Sequence, residues 1–464
     1  MKPFFSKYIT AITLLMSASV SGQKAAVWLT DVDKDILFQQ QSQQLSFGKA
    51  KPDTSLITVD DKPRYQSIDG FGFALTGGSA MHIVRMSAPA RAALLKELFE
   101  TKGNGIGTSY LRLSIGASDL NEKVFSYNDL PAGETDTAMK KFDLGPDRLD
   151  VIPVVKEILK INPKIKIMGS PWSPPVWMKT NGDTRGGSLK PEYYAAYAKY
   201  FVRYIQDMKK EGIIIDAITV QNEPLHPGNN PSLLMLAPDM ANFVKNNLGP
   251  AFAAAGIKTK IIVYDHNCDK PEYPISILDD PEAKKYIDGS AFHLYGGTID
   301  AMSKVHDAHP DRNLYFTEQW VGAPGNMKRD IGEHISKLII GASRNWSRNV
   351  IEWNLASDPQ WQPHTDRGGC DRCLGAITID KDNFKRNPAW YIVAHAAKYV
   401  RPGSVRIASN MIGDLPNVAF RTPDKKTVLI VMNRGKEPRS FAVANKGKQF
   451  EARLNPGAVA TYVW

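Results

Sequence analysis

Two glutamates follow short apolar runs of this 464-residue chain, at positions where a carboxyl group could act on a bound molecule. Glu223 lies in the stretch AITVQNEPLHPG, and Glu318 lies in NLYFTEQW. β-Branched residues favour a buried strand and proline cannot continue a central one, so Glu223 is predicted to stand where a strand ends. Two carboxyl groups that flank one bond can hydrolyse a glycosidic linkage, one as an acid and the other at the anomeric carbon.

Other chemistries find less support in the sequence. His266, His293 and His364 do not have the HExxH or HxH spacing of metal sites, so each is predicted to be a hydrogen-bonding or packed histidine. Gly70 and Gly72 lack the third glycine of a dinucleotide-binding loop. The chain contains neither a GxSxG elbow nor a phosphate-binding GxxxxGK(S/T) motif. We therefore predict that the protein uses no metal and no cofactor.

The three cysteines of the chain are Cys268, Cys370 and Cys373. The spacing of Cys370 and Cys373 is half of a common zinc pattern, but the sequence has no second CxxC pair. In an exported protein such a pair is better explained as a local disulfide or as two spare thiols. The spacing leaves both explanations open, and both predict that the pair binds no metal.

Short apolar runs recur through the middle of the chain, and each ends in glycine, polar or aromatic residues. They occupy residues 70–75, 108–115, 164–170, 215–221, 260–264, 290–295, 313–317 and 349–353. Helical patterns fill most of the gaps, and strands that alternate with helices predict a parallel sheet with right-handed crossovers. Eight such units predict a closed (β/α)8 TIM barrel over residues 66–395, which is longer than the typical ~250 residues but within the range of the fold.

The two ends of the chain follow a different pattern. Residues 23–65 and 396–464 contain short pieces rich in β-formers between turn residues, such as SLITVDDKPRYQSI and KTVLIVMN. We predict that these two segments pair into one small antiparallel β-sandwich beside the barrel.

The N-terminus has the pattern of an export signal. Lys2 and Lys7 precede a short apolar stretch, and small residues follow at 19–22, which predicts a signal peptide over residues 1–22. No later segment is long and apolar enough for a membrane-spanning helix, so no integral membrane segment is expected. We predict an exported protein that is periplasmic, bound at the cell surface or extracellular.

The composition is that of an ordinary globular protein, with 43% hydrophobic and 23% charged residues. The formal charge of +10 is scattered, and no basic run with interleaved aromatic residues is present. Nucleic acid is therefore not an expected partner. We predict a monomer.

In a (β/α)8 barrel the active site lies at the C-terminal ends of the strands. The endings of the eight runs are rich in aromatic, amide, histidine and carboxyl side chains. These suit a polyhydroxylated ring, whose C–H faces stack on aromatic rings and whose hydroxyls need polar partners. Glu223 and Glu318 end the fourth and seventh runs, which lie across the barrel mouth from each other. Glu352 also ends a run, but it can point the other way in the pleat and is predicted to be a supporting residue.

The chain also resembles a known family in several stretches. From about residue 55 to the C-terminus, in order, occur YQSIDGFGFALT, LRLSIGASD, GSPWSPPVWMKTNG, QNEP, AFHLY, FTEQW, VIEWNLASD and NPAWYIVAHAAKYVRPGSVRI. These stretches are similar to glycoside hydrolase family 30, the glucosylceramidase-like retaining β-glycosidases. SPWSPPxWMKTNG is the most specific of them. The resemblance implies a barrel with a side β-sandwich.

The resemblance also implies roles for individual residues. Glu223 would be the acid/base, Glu318 the nucleophile, and Asn222 the partner of the sugar 2-hydroxyl. The remaining residues expected to contact the substrate or to neighbour the nucleophile are Arg112, Asp119, Trp172, His293, Tyr295, Trp320 and Trp353.

The loop PQWQPHTDRGGCDRCLGAITID departs from the lysosomal branch of the family and is more similar to bacterial members that act on β-1,6-glucans. The resulting prediction is a secreted, retaining β-glycosidase whose substrate is a β-1,6-linked glucan oligosaccharide or polysaccharide. The alternatives are an exo-acting β-glucosidase, a β-xylosidase or a glucosylceramidase of the same family, and a non-catalytic carbohydrate-binding protein. Endo and exo action stay open, because sequence does not show whether the barrel mouth is a pocket or a groove.

Overall fold

The computed structural model of the protein describes residues 1, 23–49 and 55–464. Apart from Met1, the predicted signal peptide lies outside the described residues. Within the described part, no helix is long and apolar enough to cross a membrane.

Eight parallel strands close into a barrel in sequential order, and each of the eight predicted runs overlaps one of them. We number them β1 to β8 in chain order: Gly70–Leu75, Tyr110–Ser114, Lys166–Ser170, Ala217–Thr219, Lys260–Cys268, Ile287–Gly297, Asn313–Glu318 and Ser347–Glu352. The prediction of a (β/α)8 barrel is thus confirmed. The boundaries differ most at β6, which is longer than the predicted run 290–295, whereas β4 is shorter than the predicted run 215–221.

The barrel is filled by apolar side chains from seven of its strands, which is why it is a packed core rather than a pore. These interior residues are Tyr110, Met168, Ala217, Ile262, Ala291, Tyr315 and Ile351, and all are buried.

Helices follow the barrel strands and surround the barrel. The α-helices are Gly77–Arg85, Ala88–Phe99, Val151–Ile161, Tyr194–Lys210, Ala237–Phe243, Gly249–Ala254, Glu272–Leu278, Pro281–Lys284, Ala301–Ala308, Met327–His334 and Pro388–Ala397. π-Helical segments, Val244–Leu248 and Ile335–Ala342, continue two of them. Short 3₁₀-helices occupy Val32–Lys34, Gly145–Arg148, Val176–Met178 and Pro191–Tyr193.

The side sandwich contains strands from both ends of the chain, as predicted. Its strands are Lys24–Asp31, Ile36–Gln40, Leu45–Ser46, Gly48–Lys49, Leu56–Ser67, Val405–Ser409, Asn417–Arg421, Thr427–Met432, Arg439–Asn445, Lys448–Leu454 and Val459–Val463. Lys24–Asp31 pairs antiparallel with Val459–Val463, which joins the two ends. The pairing departs from the antiparallel pattern where Arg439–Asn445 runs parallel to Leu56–Ser67.

One sandwich strand explains how the sandwich attaches to the barrel. Along Thr427–Met432 every residue is buried. Val428, Ile430 and Met432 pack into the core shared with the barrel helices, whereas Leu429 and Val431 pack into the sandwich's own core. Because alternate residues of a strand face opposite sides, burial on both faces accounts for the continuous apolar run TVLIVM.

A long loop follows β8 and contains a small sheet of Ala356–Ser357, Ile377–Asp380 and Asn383–Arg386. Within this loop Cys370 and Cys373 form a disulfide, so the first of the two explanations for the pair is the one observed. Cys268 is free and buried.

Candidate active site

The two predicted glutamates are buried at the barrel mouth. Glu318 is the last residue of β7. Glu223 lies four residues after β4 and has a positive φ of 45°, which turns the chain away from the strand direction. Its amide donates to the carbonyl of Asp265 at 3.0 Å, so Glu223 is held against β5. The backbone therefore fixes both carboxyl groups on the same face of the barrel.

The side chain of His293, on β6, lies between the two carboxyl groups. Its Nδ1 atom is 3.0 Å from Glu223 Oε1 and 3.8 Å from Glu318 Oε1. Two atoms so close to one nitrogen are less than about 7 Å apart, whereas carboxyl groups of retaining glycosidases are ~5–5.5 Å apart and those of inverting ones ~6.5–9.5 Å. The separation of the two carboxyl groups can therefore overlap only the lower end of the distance range found in inverting enzymes.

Glu318 is held by an arginine and a tyrosine. Arg112 Nη1 donates to Glu318 Oε2 at 2.6 Å, and Tyr295 Oη donates to Glu318 Oε1 at 3.0 Å. Arg112 Nη2 also donates to Asn222 Oδ1 at 2.7 Å. Bonds between an arginine and a carboxylate are charge-assisted and favour the ionised acid. Arg112 therefore links Asn222, which precedes Glu223, to the carboxyl group of Glu318 by hydrogen bonds.

Asp265 supports this arrangement from below, and the sequence did not point to it. Its carboxylate accepts from Arg112 Nη2 at 2.8 Å and from the hydroxyls of Thr219 and Thr317 at 2.6 Å each. Asp265 has a φ of 60° at a point where the register between β5 and β6 shifts. Such a bulge interrupts the alternation of side chains and re-aims one of them. The run 260–264 predicts a strand that ends just before Asp265, but no local pattern reveals a bulge.

The charges of the site favour a proton on His293. Burial opposes a charged imidazole, but Glu318, Asp265 and Glu223 outweigh it and raise the pKa of His293 to about 9. Its Nε2 atom lies 3.2 Å from Asp265 Oδ1, so both nitrogens of the protonated ring face carboxylates. At neutral pH, His293 is therefore a cation that can pass a proton to Glu223.

His293 lowers the pKa of both glutamates, but their net pKa shifts have opposite signs. Burial opposes ionisation of Glu223, but the neighbouring imidazoles of His293 and His266 outweigh it and lower its pKa. Burial also raises the pKa of Glu318; His293 and Arg112 reduce this effect, and repulsion from Glu223 adds to it. In the free site, the proton that Glu223 needs as an acid is thus held on the neighbouring imidazole, 3.0 Å away.

Tryptophans form the walls of the cavity. The rings of Trp172 and Trp353 stack with centroids 5.3 Å apart, and the guanidinium of Arg112 lies 4.8 Å from the centre of the Trp172 ring. Trp320 pairs with Trp353 through a parallel backbone bridge. The cavity measures about 290 Å³ and is lined by Asp119, Trp172, Glu223, His226, Asn229, His266, Asn267, Tyr295, Glu318, Trp320, Trp353, Cys370 and Cys373. This size is small for a ligand pocket and suits a single sugar ring.

The structure thus brings together the residues that the sequence proposed for one site. A larger cavity of about 590 Å³ lies at the opposite end of the barrel, next to Lys166 and Asp216. Active sites of this fold lie at the C-terminal ends of the strands, where the two glutamates are found.

Glu352 turns away from the mouth. It is fully buried, and its Oε1 atom lies 2.9 Å from Nδ1 of His334 on the helix Met327–His334. It holds that helix to the barrel, as expected for a supporting residue.

Ligand atoms of Glu223, His266 and His293 lie within 4.8 Å of one another, a spacing at which they could hold a metal ion. Nδ1 of His266 is buried without a hydrogen-bond partner among the described residues. Carboxylate and imidazole groups are common zinc ligands. Two of these side chains, Glu223 and His293, are also the pair between which the catalytic proton is held.

Asp119 is buried near Glu223 and Glu318, and the pKa of its carboxyl group is raised. Burial and repulsion from Glu318 and Glu223 raise its pKa from 3.8 to about 7, although the amide of Cys370 opposes the shift. A carboxyl group of this kind costs stability when ionised. Its position at a sugar-binding wall is consistent with a group kept for binding rather than for folding.

Replacement of Asp119 by asparagine is expected to stabilise the protein at pH 8 by on the order of 4 kcal/mol and to have little effect at pH 4. The folded-state pKa lies above the unfolded one, so stability is lost as pH rises through about 7, and a neutral amide avoids this loss. Urea denaturation at both pH values measures the difference. An equal change at the two pH values would contradict the raised pKa.

Comparison with known proteins agrees with the fold. Residues 68–400 match the glycosyl hydrolase family 30 TIM-barrel domain, and residues 403–462 match the β-sandwich domain of the same family. The chain is 32% identical to endo-1,6-beta-D-glucanase neg1 of Aspergillus fumigatus over 88% of this chain and 87% of that protein. It is 30% identical to lysosomal acid glucosylceramidase of Mus musculus over 88% and 83%.

Among solved structures, the chain is similar to the endo-beta1,6-glucanase BT3312. The two share 33% identity with a TM-score of 0.88, and the alignment covers 95% of this chain and 99% of that one.

Proposed function

Because the chain belongs to glycoside hydrolase family 30, we propose that it is a retaining enzyme that hydrolyses β-1,6-linked glucan through a covalent glycosyl-enzyme intermediate. Membership in the family makes the chain a glycoside hydrolase. The linkage, the roles of the two glutamates and the sequence of steps are the proposal.

One observation carries the mechanism: Glu223 and Glu318 both lie next to Nδ1 of His293. This separation lies below most of the range in which a water molecule fits to attack from the face opposite the leaving group, as inversion requires. It brings a carboxylate within reach of the anomeric carbon instead. The geometry supports retention.

In the first step, a carboxylate oxygen of Glu318 bonds to the anomeric carbon while the bond from that carbon to the leaving oxygen breaks. Glu223 passes to the leaving oxygen a proton that it takes from protonated His293, 3.0 Å away, so Glu223 is a carboxylate and His293 is neutral when this step ends. Arg112 favours the ionised form of Glu318 before attack. The sugar is then an ester of Glu318, and the leaving alcohol departs neutral.

In the second step, Glu223 removes a proton from water, and the water oxygen bonds to the anomeric carbon as the ester bond to Glu318 breaks. The ester carries no charge, so repulsion on Glu223 is weaker and Glu223 ionises more readily as a base. Two displacements at one carbon restore the original configuration.

The linkage is supported by the relatives and by one loop. The similar proteins of Aspergillus fumigatus, Neurospora crassa and Trichoderma harzianum are named endo-1,6-β-glucanases, at 31–33% identity. The loop around GGCDRC, which suggested this linkage from sequence, lines the cavity through Cys370 and Cys373. The second candidate for the activity of this chain is that of a glucosylceramidase, because the chain is 30% identical to the lysosomal acid glucosylceramidase of Mus musculus.

We expect kcat/KM for β-1,6-glucan to exceed that for xylan, β-1,3-glucan, β-1,4-glucan and glucosylceramide by about 10²-fold, since a site built for one linkage leaves polar groups unpaired with another. Product analysis by chromatography also separates endo from exo cleavage. NMR of the first product should show the β-anomer. Faster cleavage of xylan or glucosylceramide would contradict the linkage, and binding without turnover of any substrate would favour a carbohydrate-binding protein.

Export is part of the proposal, since a polysaccharide is met outside the cytoplasm and residues 1–22 have the pattern of a signal peptide. Cell fractionation tests it: a protein retained in the cytoplasm at full length would contradict it. A monomeric state also remains a prediction.

A further inference from the structure

The disulfide Cys370–Cys373 lies in the wall of the cavity, although the mechanism above does not use it. Cys373 is buried and packs with Trp172 and Trp353, the two stacked rings of the sugar site. Cys370 is half-buried and lines the same cavity. The disulfide therefore lies beside the side chains that are expected to contact the sugar.

The long loop after β8, which contains the disulfide, holds Asp119 through two hydrogen bonds. The amide of Cys370 donates to Asp119 Oδ2 at 3.3 Å. The amide of Thr365 donates to the backbone carbonyl of Asp119 at 2.8 Å. Two backbone amides stabilise the ionised carboxyl group of Asp119 by hydrogen bonds: that of Cys370 and that of Asp119 itself. The position of Asp119 therefore depends on where Cys370 lies.

The other end of the disulfide is attached to the segment that follows β7. Cys373 pairs with Gly322 through an antiparallel bridge. The amide of Ala323 donates to the carbonyl of Arg372 at 2.8 Å, and Arg372 Nη2 donates to the carbonyl of Ala323 at 2.8 Å. This segment begins four residues after Glu318. The disulfide thus links the chain next to the nucleophile with the chain that holds Asp119.

We propose that the Cys370–Cys373 disulfide is a positioning element of the sugar site, which holds Asp119 against the substrate so that substrate affinity depends on the oxidised state of the pair. The inference rests on the proposed function, because it assumes that a sugar occupies this cavity. Without the bond, Cys370 can move away from Asp119 while Cys373 stays with Gly322. Cleavage of glycosides continues, because Glu223 and Glu318 do not contact the disulfide loop through any hydrogen bond among the described residues.

The test compares KM and kcat of the double variant Cys370→Ser/Cys373→Ser with those of the native protein, on 4-nitrophenyl β-glucoside and on β-1,6-glucan. We expect KM to rise about tenfold, the scale of one hydrogen bond to a charged group, and kcat to change less than about twofold. The matched control is Cys268→Ser, a buried free cysteine that does not line the cavity, and its KM should stay unchanged.

A double-mutant cycle with Asp119→Ala separates positioning from general stability, because alanine removes the carboxyl group that the amide of Cys370 contacts. If the disulfide acts through Asp119, its loss in the Asp119→Ala background should change KM by less than about twofold. An equal tenfold rise in both backgrounds would overturn the inference, as would an unchanged KM in the double cysteine variant.

Reduction of the native protein provides a second test that does not require the double cysteine variant to fold. Dithiothreitol breaks the bond to give two thiols and is itself oxidised to a cyclic disulfide. KM should rise on reduction and return on reoxidation, with an unchanged circular dichroism spectrum; an unchanged KM of protein shown by thiol titration to be reduced would contradict the inference. If 4-nitrophenyl β-glucoside is cleaved and β-1,6-glucan is not, the proposed linkage fails while the KM comparison still decides the inference. Turnover of neither substrate by the native protein overturns both.

Discussion

Replacement of Glu318 by alanine is expected to lower kcat by at least about 10⁵-fold on every substrate, including activated aryl glycosides. The covalent intermediate forms on this carboxylate, and Arg112 and Tyr295 are arranged around it, at 2.6 and 3.0 Å. Without the carboxylate no neighbouring oxygen can take its place at the anomeric carbon. Steady-state hydrolysis of 4-nitrophenyl β-glucoside measures the loss.

The exposed Glu272 offers a matched control, since Glu272→Ala removes the same side chain outside the site. This control should retain native kcat and KM. Added azide should restore turnover of Glu318→Ala in a single displacement that yields the α-glucosyl azide. A β-glucosyl azide from this variant would mean that the roles of the two glutamates are reversed.

Replacement of Glu223 by alanine is expected to act on the two steps unequally. An aryl leaving group needs little protonation, so Glu318 should still be glycosylated, whereas no base remains to activate water in the second step. Rapid mixing should therefore show a burst of aryl alcohol followed by a steady state that is slower by about 10²–10⁴-fold, the usual scale of general acid–base assistance. On β-1,6-glucan, whose leaving alcohol needs a proton, no burst should occur.

Azide provides the internal control for this variant, because it attacks the glycosyl-enzyme without losing a proton. It should restore turnover of Glu223→Ala and yield the β-glucosyl azide. The absence of both burst and rescue would assign the acid–base role to another group, with His266 and His293 as the neighbouring candidates.

Much of the fold follows from local patterns in the sequence. Apolar runs of strand length alternate with helical patterns, and each run overlaps a barrel strand, because burial of a parallel strand demands continuous apolar residues. The run TVLIVM in the sandwich obeys the same rule, since its strand is covered on both faces. Strand boundaries were less predictable. At β4 only Ala217–Thr219 forms ladder pairs, because the chain turns at Glu223 towards β5.

By itself, the sequence determined which side chains reach the barrel mouth. Glu318 ends a strand, Arg112 lies within one, and the residues that follow strands are Glu223, Trp172 and Trp353. The C-terminal ends of parallel strands meet at one face. Their identity and approximate place could be stated because strand ends and short motifs are local features of the chain.

Tertiary structure alone decided which of these groups touch. A bulge in β5 turns Asp265 beneath Arg112, His293 lies next to both glutamates, and the amide of Cys370 reaches Asp119 across 251 positions of the chain. These contacts depend on barrel closure and on strand register, and a shift of one residue would send a side chain to the opposite face. Periodicity and spacing carry no information on such register, so proton sharing and the role of the disulfide emerge only in the folded molecule.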